Sequence, residues 1–92
     1  MLELRFTSKF KKDYKCLKRQ GKDLVKLEAT LEMLVRGEAL SESMRDHSLG
    51  GTYRGHRECH IEPDWLLIYR IDEGGLVLVA TRTGSHSELL GL

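Results

Sequence analysis

The strongest constraint on the fold is a pair of apolar runs near the C-terminus that are joined by a glycine-containing turn. Residues 65–71 form a dense apolar run, which predicts a buried central strand. The polar stretch 72–75 ends in two glycines and is typical of a hairpin connection, so residues 76–82 form the returning strand. Upstream, the chain's single proline, Pro63, lies where a strand from Thr52 must end. The pattern therefore predicts three neighbouring strands.

The first third of the chain has helical periodicity. After a short strand at residues 2–6, Thr7 or Ser8 can cap a helix whose apolar positions recur three or four residues apart. Gly21 interrupts or ends that helix, and a second apolar stripe runs towards Gly37. The two stripes comprise Phe6, Phe10, Tyr14 and Leu17, and then Leu24, Leu27, Leu31, Leu34 and Val35.

These patterns together predict an α+β fold of order β-α-α-β-β-β. Two N-terminal helices pack on one face of a small, mainly antiparallel sheet, because their apolar stripes must be buried there. Residues 38–51 have little periodicity and predict a loop. Ser85 and Glu88 have the spacing of a capping box, which predicts a short C-terminal helix. We expect one domain over residues 1–92, with the second face of the sheet free for a ligand.

Composition limits the classes of protein to which the chain can belong. It is 40% hydrophobic and 32% charged, which suits a folded soluble domain. No stretch approaches the roughly 20 apolar residues of a membrane span, and the first residues lack the pattern of a secretory signal. Two cysteines are too few for a disulfide framework. We therefore expect a cytoplasmic protein with no membrane partner.

The charge is distributed unevenly along the chain. The net charge is +1, but residues 5–26 contain nine lysines and arginines against two aspartates, which gives +7 in this segment and −6 elsewhere. Such an asymmetry favours a polyanionic or acidic partner. The alternative is that these lysines only form the solvated face of a helix.

All four histidines fall in the second half of the chain, which makes this half the place to look for chemistry. Alternate residues of a strand point to the same side, so Arg54, His56 and His60 share a face of the strand predicted from Thr52. Asp64 lies on the next turn, Arg82 at the end of the last strand and His86 at the start of the helix. We expect these charged and histidine side chains to converge at one end of the sheet; the full set is His47, Arg54, His56, His60, Asp64, Arg82 and His86.

Imidazole exchanges protons near neutral pH, and RNA cleavage needs little more. A base removes the proton of a ribose 2′-OH, and an acid protonates the departing 5′-oxygen. His86 suits the base, because the start of a helix disfavours the imidazolium ion. Asp64 beside His60 or His47 would favour the charged imidazolium of that histidine. Such an imidazolium suits a general acid or a phosphate clamp.

Two arginines and one tryptophan are candidate contacts to RNA. Arg54 and Arg82 can stabilise charge on the phosphate, and Trp65 offers a face on which a base can stack. The plainer interpretations are a strand-end charge for Arg82 and a core position for Trp65. Three or four histidines with an aspartate can also bind zinc, although no Cys-x-x-Cys or paired ligand on a helix supports this.

Three blocks of sequence resemble a known family. They are His47-x-Leu49, residues 57–69 (RECHIEPDWLLIY) and residues 82–89 (RTGSHSEL). With the chain length and the basic front helices, they resemble the YafQ branch of the RelE toxin superfamily, the toxins of bacterial type II toxin–antitoxin systems. The resemblance covers nearly the whole chain. It implies two helices on an antiparallel-type sheet.

The resemblance also implies an activity and partners. Such toxins are endoribonucleases that cut messenger RNA in the A site of the 70S ribosome, and a cognate antitoxin neutralises them. The acid–base chemistry described above requires no metal or other cofactor. Carried over by position, the catalytic residues are His47, His60, Asp64 and His86. Trp65 and Arg82 also match family positions, and ribosomal RNA would be bound through Lys11, Lys15, Lys18 and Arg19.

One family feature is missing, and two other functions remain open. The family often has a C-terminal Leu-Phe pair, whereas this chain has Leu89-Leu90, so a stacking contact worth about 1–3 kcal/mol per base is absent. A toxin of this fold can also act by binding alone, as ParE-like toxins do, but these lack the histidine cluster. The third possibility is a small metallohydrolase, which a chelator would inactivate.

Overall fold

A mixed sheet with helices on one side forms the framework of the computed structural model, which describes residues 1–91. Within this range five strands are arranged in the order β1-β5-β4-β3-β2. The β1–β5 pair is parallel and the other pairs are antiparallel, which confirms the predicted α+β fold. The elements are β1 (Glu3–Phe6), α1 (Ser8–Arg19), α2 (Leu24–Val35), β2 (His47–Ser48), β3 (Arg57–Glu62), β4 (Trp65–Asp72), β5 (Val77–Gly84) and α3 (His86–Leu90).

Both long helices begin at side-chain caps. Thr7 accepts the backbone N–H of Phe10 at the start of α1, and Asp23 accepts that of Val25 at the start of α2. Between the helices Gly21 has a φ of +77°, a left-handed conformation that glycine adopts without strain. The caps and this turn end one helix and begin the next, and apolar residues of both helices pack in the same core against the sheet.

The main core lies between the helices and the sheet. The two-residue period of the strands turns Cys59 of β3, Leu67 of β4 and Leu78 of β5 towards the helices, and each of these side chains is completely buried. The helices contribute the stripes that the sequence predicts, which include Phe10, Leu17, Leu27, Leu31 and Leu34.

The opposite face of the sheet is not free, contrary to expectation. Leu66 and Ile68 of β4 are buried there with Leu89 of α3. Leu49 and Tyr53, from the segment before β3, pack against them. The short helix α3 covers this face, because its Leu89 packs on the sheet. What remains accessible on this side borders β2 and the start of α3.

The region before β3 also differs from the prediction. The strand begins at Arg57 rather than at Thr52, because residues 51–53 form a single 3₁₀ turn and Gly55 has a φ of +86°. Within the predicted loop 38–51, the two residues of β2 pair with β3. Arg54 and His56 therefore lie outside the strand, so their predicted place on one strand face with His60 is wrong.

A buried hydroxyl group links the two central strands. Thr83 of β5 is 2% exposed; its hydroxyl accepts the indole N–H of Trp65 at 2.9 Å and donates to the carbonyl of Leu66 at 2.8 Å. Both partners are on β4, so one side chain satisfies two buried polar groups at the end of the sheet where α3 begins. Within residues 1–91, no helix is long and apolar enough to cross a membrane.

We predict that Thr83→Val lowers the free energy of unfolding by about 1–3 kcal/mol, because the indole N–H of Trp65 then stays buried without an acceptor. Urea denaturation followed by tryptophan fluorescence measures this loss. Thr81→Val on the same strand is the matched control, since the Thr81 hydroxyl makes only a 3.5 Å contact to a carbonyl. An equal loss in both variants would contradict the assigned role.

Candidate active site

Three of the four histidines lie together at the edge of the sheet face that is opposite α1 and α2. The ring centroids of His47 and His60 are 6.3 Å apart, and those of His60 and His86 are 5.3 Å apart. His47 is on β2, His60 is on β3 and turns away from the helices, and His86 opens α3. The structure therefore brings together imidazoles from three separate stretches of the chain.

Asp64 joins this cluster through His86. Its Oδ1 accepts the backbone N–H of His86 at 3.0 Å and lies 2.7 Å from Nδ1 of the same residue. The backbone hydrogen bond, followed by the side-chain hydrogen bond, lowers the pKa of Asp64 below its ordinary value. The sequence suggested His60 or His47 as the neighbour of Asp64, whereas its hydrogen-bond partner is His86, because the β3–β4 turn faces the start of α3.

A capping box holds the residue before His86. Ser85 accepts the backbone N–H of Glu88, and Glu88 accepts that of Ser85, as the sequence predicts. His86 is consequently fixed by its backbone and its side chain together.

His47 is oriented by a carbonyl group. Its Nδ1 lies 2.7 Å from the backbone oxygen of Arg45. A carbonyl oxygen can only accept, so Nδ1 carries the proton and Nε2 is left with a free lone pair in the neutral ring. Arg45 has a left-handed backbone with a φ of +52°. His47 is exposed, so its Nε2 can reach a ligand.

Glu58 is a site residue that the sequence analysis missed. It is 3% exposed, and its Oε1 lies 3.4 Å from Nε2 of His60. Nδ1 of His60 is buried and, within residues 1–91, has no hydrogen-bond partner. The available signal was the spacing, because residues two apart on a strand share a face.

Glu58, His60 and His86 are also arranged as metal ligands. One potential ligand atom of each lies within 4.8 Å of the others. Two imidazole nitrogens and a carboxylate oxygen suit zinc or copper. His47 and Asp64 are not members of this group.

Arg82 is held rigidly near the end of β5. Its Nε and Nη2 donate to the carboxylate of Asp13 on α1, at 2.7 and 3.0 Å. These hydrogen bonds are the main cause of the raised pKa of Arg82. Its charge is thus partly offset by Asp13, which also accepts the backbone N–H of Thr83.

Trp65 cannot serve as the predicted stacking platform. Its side chain is 1% exposed, it belongs to the core under the helices, and its indole N–H is occupied by Thr83. This prediction is therefore corrected in favour of a core role. Arg54 is exposed at the end of the 3₁₀ turn.

The basic face predicted on α1 is exposed to solvent. Lys22 and Lys26, beyond this helix, are instead engaged with Glu62, at 3.6 and 2.9 Å. A cleft of about 270 Å³ lined in part by Lys22 and Asp64 connects the end of α1 with the start of α3. The exposed cations of α1 include Lys11, Lys15, Lys18 and Arg19.

Comparison with known proteins decides the family. A family model described as the bacterial toxin of type II toxin–antitoxin systems, YafQ, matches residues 2–91. The chain belongs to the YafQ toxin family. The mRNA interferase toxin YafQ of Escherichia coli strain K12 is 33% identical to this YafQ-family chain over 90 residues, which are 97% of this chain and 96% of that toxin.

Solved structures of similar chains support the same family. The toxin in the crystal structure of the E. coli DinJ–YafQ complex matches with a TM-score of 0.89 and 33% identity, over 99% of this chain and 100% of that one. A metal-bound toxin from Helicobacter pylori matches with a TM-score of 0.91 and 40% identity, over 98% and 100%. The YafQ fold and the place of this chain among toxin–antitoxin toxins follow from these matches.

We predict that the contact between Asp64 and α3 is complete above the ordinary aspartate pKa of 3.8 and is lost on acidification, at a midpoint below 3.8, because the folded-state pKa is lowered. The backbone amide shift of His86, followed by NMR during an acid titration, reports this step. In Asp64→Asn the step should disappear. A midpoint at or above the ordinary value would contradict the contact.

Proposed function

We propose that this YafQ-family toxin is an endoribonuclease that cleaves messenger RNA in the ribosomal A site by metal-independent acid–base catalysis. The observation that carries the proposal is the convergence of His47, His60 and His86, with Asp64 bound to one of them. The E. coli relative, which bears the name mRNA interferase, supports messenger RNA as the substrate.

Proton transfer can be assigned from the anchored nitrogens. His47, whose Nδ1 donates to the carbonyl of Arg45, presents the lone pair of Nε2 and is the general base for the 2′-OH. The 2′-oxygen then attacks the adjacent phosphorus, and the bond to the 5′-oxygen breaks. His86, which the sequence analysis assigned as the base, is the acid in this proposal: its Nδ1–H faces the carboxylate of Asp64, and Nε2 protonates that oxygen. The products are a 2′,3′-cyclic phosphate and a 5′-hydroxyl.

His60 lies between these two imidazoles and faces the reacting phosphate in the proposal. Its proximity to Glu58 keeps it in place, and its ring lies within contact distance of His86. Arg82 is the candidate fixed cation. Its Nε and Nη2 are held by Asp13, whereas Nη1 takes no part in that ion pair.

A metal-dependent hydrolase is the second candidate. It is favoured by Glu58, His60 and His86, whose ligand atoms lie within 4.8 Å, and by the metal-bound structure of the H. pylori toxin. A zinc or copper ion held by these residues would supply a Lewis acid or an activated water. In the preferred mechanism the same ion would block the reaction, because it would occupy imidazole nitrogens that must carry protons.

The ribosome is the proposed platform for cleavage. Ribosomal RNA is a dense polyanion, and the exposed cations of α1 can bind its phosphates with strong salt dependence. The codon is then presented by the ribosome, so a small cytoplasmic toxin needs no RNA-sequence reader of its own.

A cognate antitoxin is the proposed protein partner, as DinJ is for E. coli YafQ. A largely apolar groove of about 400 Å³ between β1, α1 and α2 suits the apolar face of an acidic amphipathic helix, because lysines lie at its rim. The groove is lined by Phe6, Phe10, Lys11, Tyr14, Lys15, Glu28 and Leu31.

Primer extension on messenger RNA translated with and without the toxin tests the activity, with naked RNA in parallel. We predict a cut only in the translated message, and losses of about 100-fold or more for His47→Ala and His86→Ala, since each removes one proton transfer. His56→Ala is the matched control, because its ring lies against Tyr53, outside the cluster. Antitoxin binding should persist in every variant.

A chelator separates the two candidate mechanisms. Cleavage in excess EDTA supports acid–base catalysis, and added zinc or copper should then inhibit it reversibly. Loss of cleavage on chelation, restored by the metal, would instead establish the hydrolase. Wild-type cleavage by both histidine variants would refute the proposed site.

We predict that the combined charge reversal Lys11→Glu, Lys15→Glu and Lys18→Glu weakens ribosome association. Each phosphate contact that is lost should lower the slope of log affinity against log salt by about 0.7–0.9. The control is the combined reversal of Arg5, Arg36 and Arg70 to glutamate, which changes the net charge equally at positions already paired with acidic neighbours. Equal weakening by both sets would mean that only the overall charge matters.

A further inference from the structure

A carboxylate on the helix side of the sheet fastens the segment that carries His47. Oδ1 of Asp46 accepts the hydroxyl of Tyr69 at 2.7 Å and Nε of Arg57 at 3.2 Å. Arg57 and Tyr69 are direct partners in the β3–β4 register, so the two donors stand side by side. Burial, and then the hydrogen bond to Asp46, raises the pKa of Tyr69, which keeps its hydroxyl a donor.

Asp46 and His47 are consecutive, and they face opposite sides of the sheet. The carboxylate lies among side chains on the helix side, whereas His47 stands opposite Glu58 and near His60. β2 contains only two residues and pairs only with β3, so its ladder alone gives little rigidity. The backbone N–H of Leu49 adds one hydrogen bond to the carbonyl of His56, and the Asp46 contacts add side-chain attachments to both β3 and β4.

The backbone before His47 lies between this attachment and a 3₁₀ turn. Arg45, the neighbour of Asp46, ends the turn of residues 42–44 in a left-handed conformation, with its N–H bonded to the carbonyl of Glu42 at 3.0 Å. With this backbone the carbonyl of Arg45 lies 2.7 Å from Nδ1 of His47. If Asp46 were released, the carbonyl could turn away, and the imidazole would lose both its place and its preference for a proton on Nδ1.

We propose that Asp46 is a positioning residue for His47. Through Tyr69 and Arg57 it fixes the Arg45 carbonyl, which selects the tautomer with the proton on Nδ1 and exposes the lone pair of Nε2 to the RNA. The catalytic part rests on the proposed function, because it takes His47 as the base. The structural part, that Asp46 sets the tautomer of His47, can be tested without any substrate.

Long-range ¹H–¹⁵N NMR of the ¹⁵N-labelled toxin distinguishes the tautomers, and comparison with His47→Gln assigns the signals. We expect a single Nδ1–H form of neutral His47 in the wild type and in Asp46→Asn, whose amide oxygen still accepts. Asp46→Leu should give a mixture of both tautomers. Tyr69→Phe, which removes only the hydroxyl, should shift the population in the same direction and covers the case in which Asp46→Leu fails to fold.

Single-turnover cleavage on programmed ribosomes gives the functional readout. Asp46→Leu should lower the maximal rate by about 10- to 100-fold, as misplacement of a catalytic group does, with half-saturation unchanged. Asp72→Leu, which removes the hydrogen-bonded ion pair of Asp72 with Arg70, is the matched control and should retain the wild-type rate.

The outcomes separate the inference from the proposed function. A wild-type tautomer in folded Asp46→Leu and in Tyr69→Phe would overturn the positioning role, whatever the activity. A changed tautomer with an unchanged cleavage rate would overturn the catalytic part alone. Loss of activity in Asp46→Asn despite a wild-type tautomer would also overturn the catalytic part. If His47→Ala cleaves normally, the base assignment fails, while the NMR result still decides what Asp46 does to His47.

Discussion

The two-residue period of β3 is the constraint on which the arrangement of the site depends. Its register with β4 places Cys59 in the core beneath the helices and turns Glu58 and His60 to the other side. A shift of one residue would bury the imidazole among leucines and expose the thiol. Core packing and placement of the histidine are thus decided by the same alternation, so the interactions that stabilise the sheet also hold the candidate site.

The remaining groups are brought to β3 by short segments that each need a polar anchor. α3 has five residues and is held to the β3–β4 turn by Asp64, and β2 has two residues and is held by Asp46. In both cases a carboxylate fixes a segment that carries an imidazole. Such segments have little stability of their own, so their anchors have a larger effect on the site than on the stability of the whole fold.

The sequence predicted well what depends on local periodicity. The stripes of α1 and α2, the apolar run of β4, the capping box at Ser85 and the opposite faces of Cys59 and His60 are all in place. Contacts between residues that are distant in the chain were not predicted from the sequence. The ion pair of Asp13 with Arg82 joins residues far apart in the chain. For Trp65 the sequence offered both a core and a stacking position, and the burial of the ring decides for the core.

Other errors came from the backbone. Left-handed glycines shortened β3 and removed Arg54 from its face, because a period of two says nothing about where a strand begins. Glu58 was missed because its spacing places it on the same strand face as His60 but does not show that its carboxylate is buried beside the imidazole. The family resemblance compensated for part of this, since it identified the histidine cluster without the geometry.

The most direct test of the central claim, that His47 and His86 transfer protons at opposite ends of one RNA linkage, replaces the 5′-bridging oxygen at the cleaved linkage with sulfur. Sulfur leaves without being protonated, so an enzyme that lacks only its general acid recovers on this substrate. The account predicts that the defect of His86→Ala largely disappears in ribosome-bound message of this kind, whereas that of His47→Ala persists. An undiminished defect of His86→Ala, or rescue of His47→Ala instead, would contradict it.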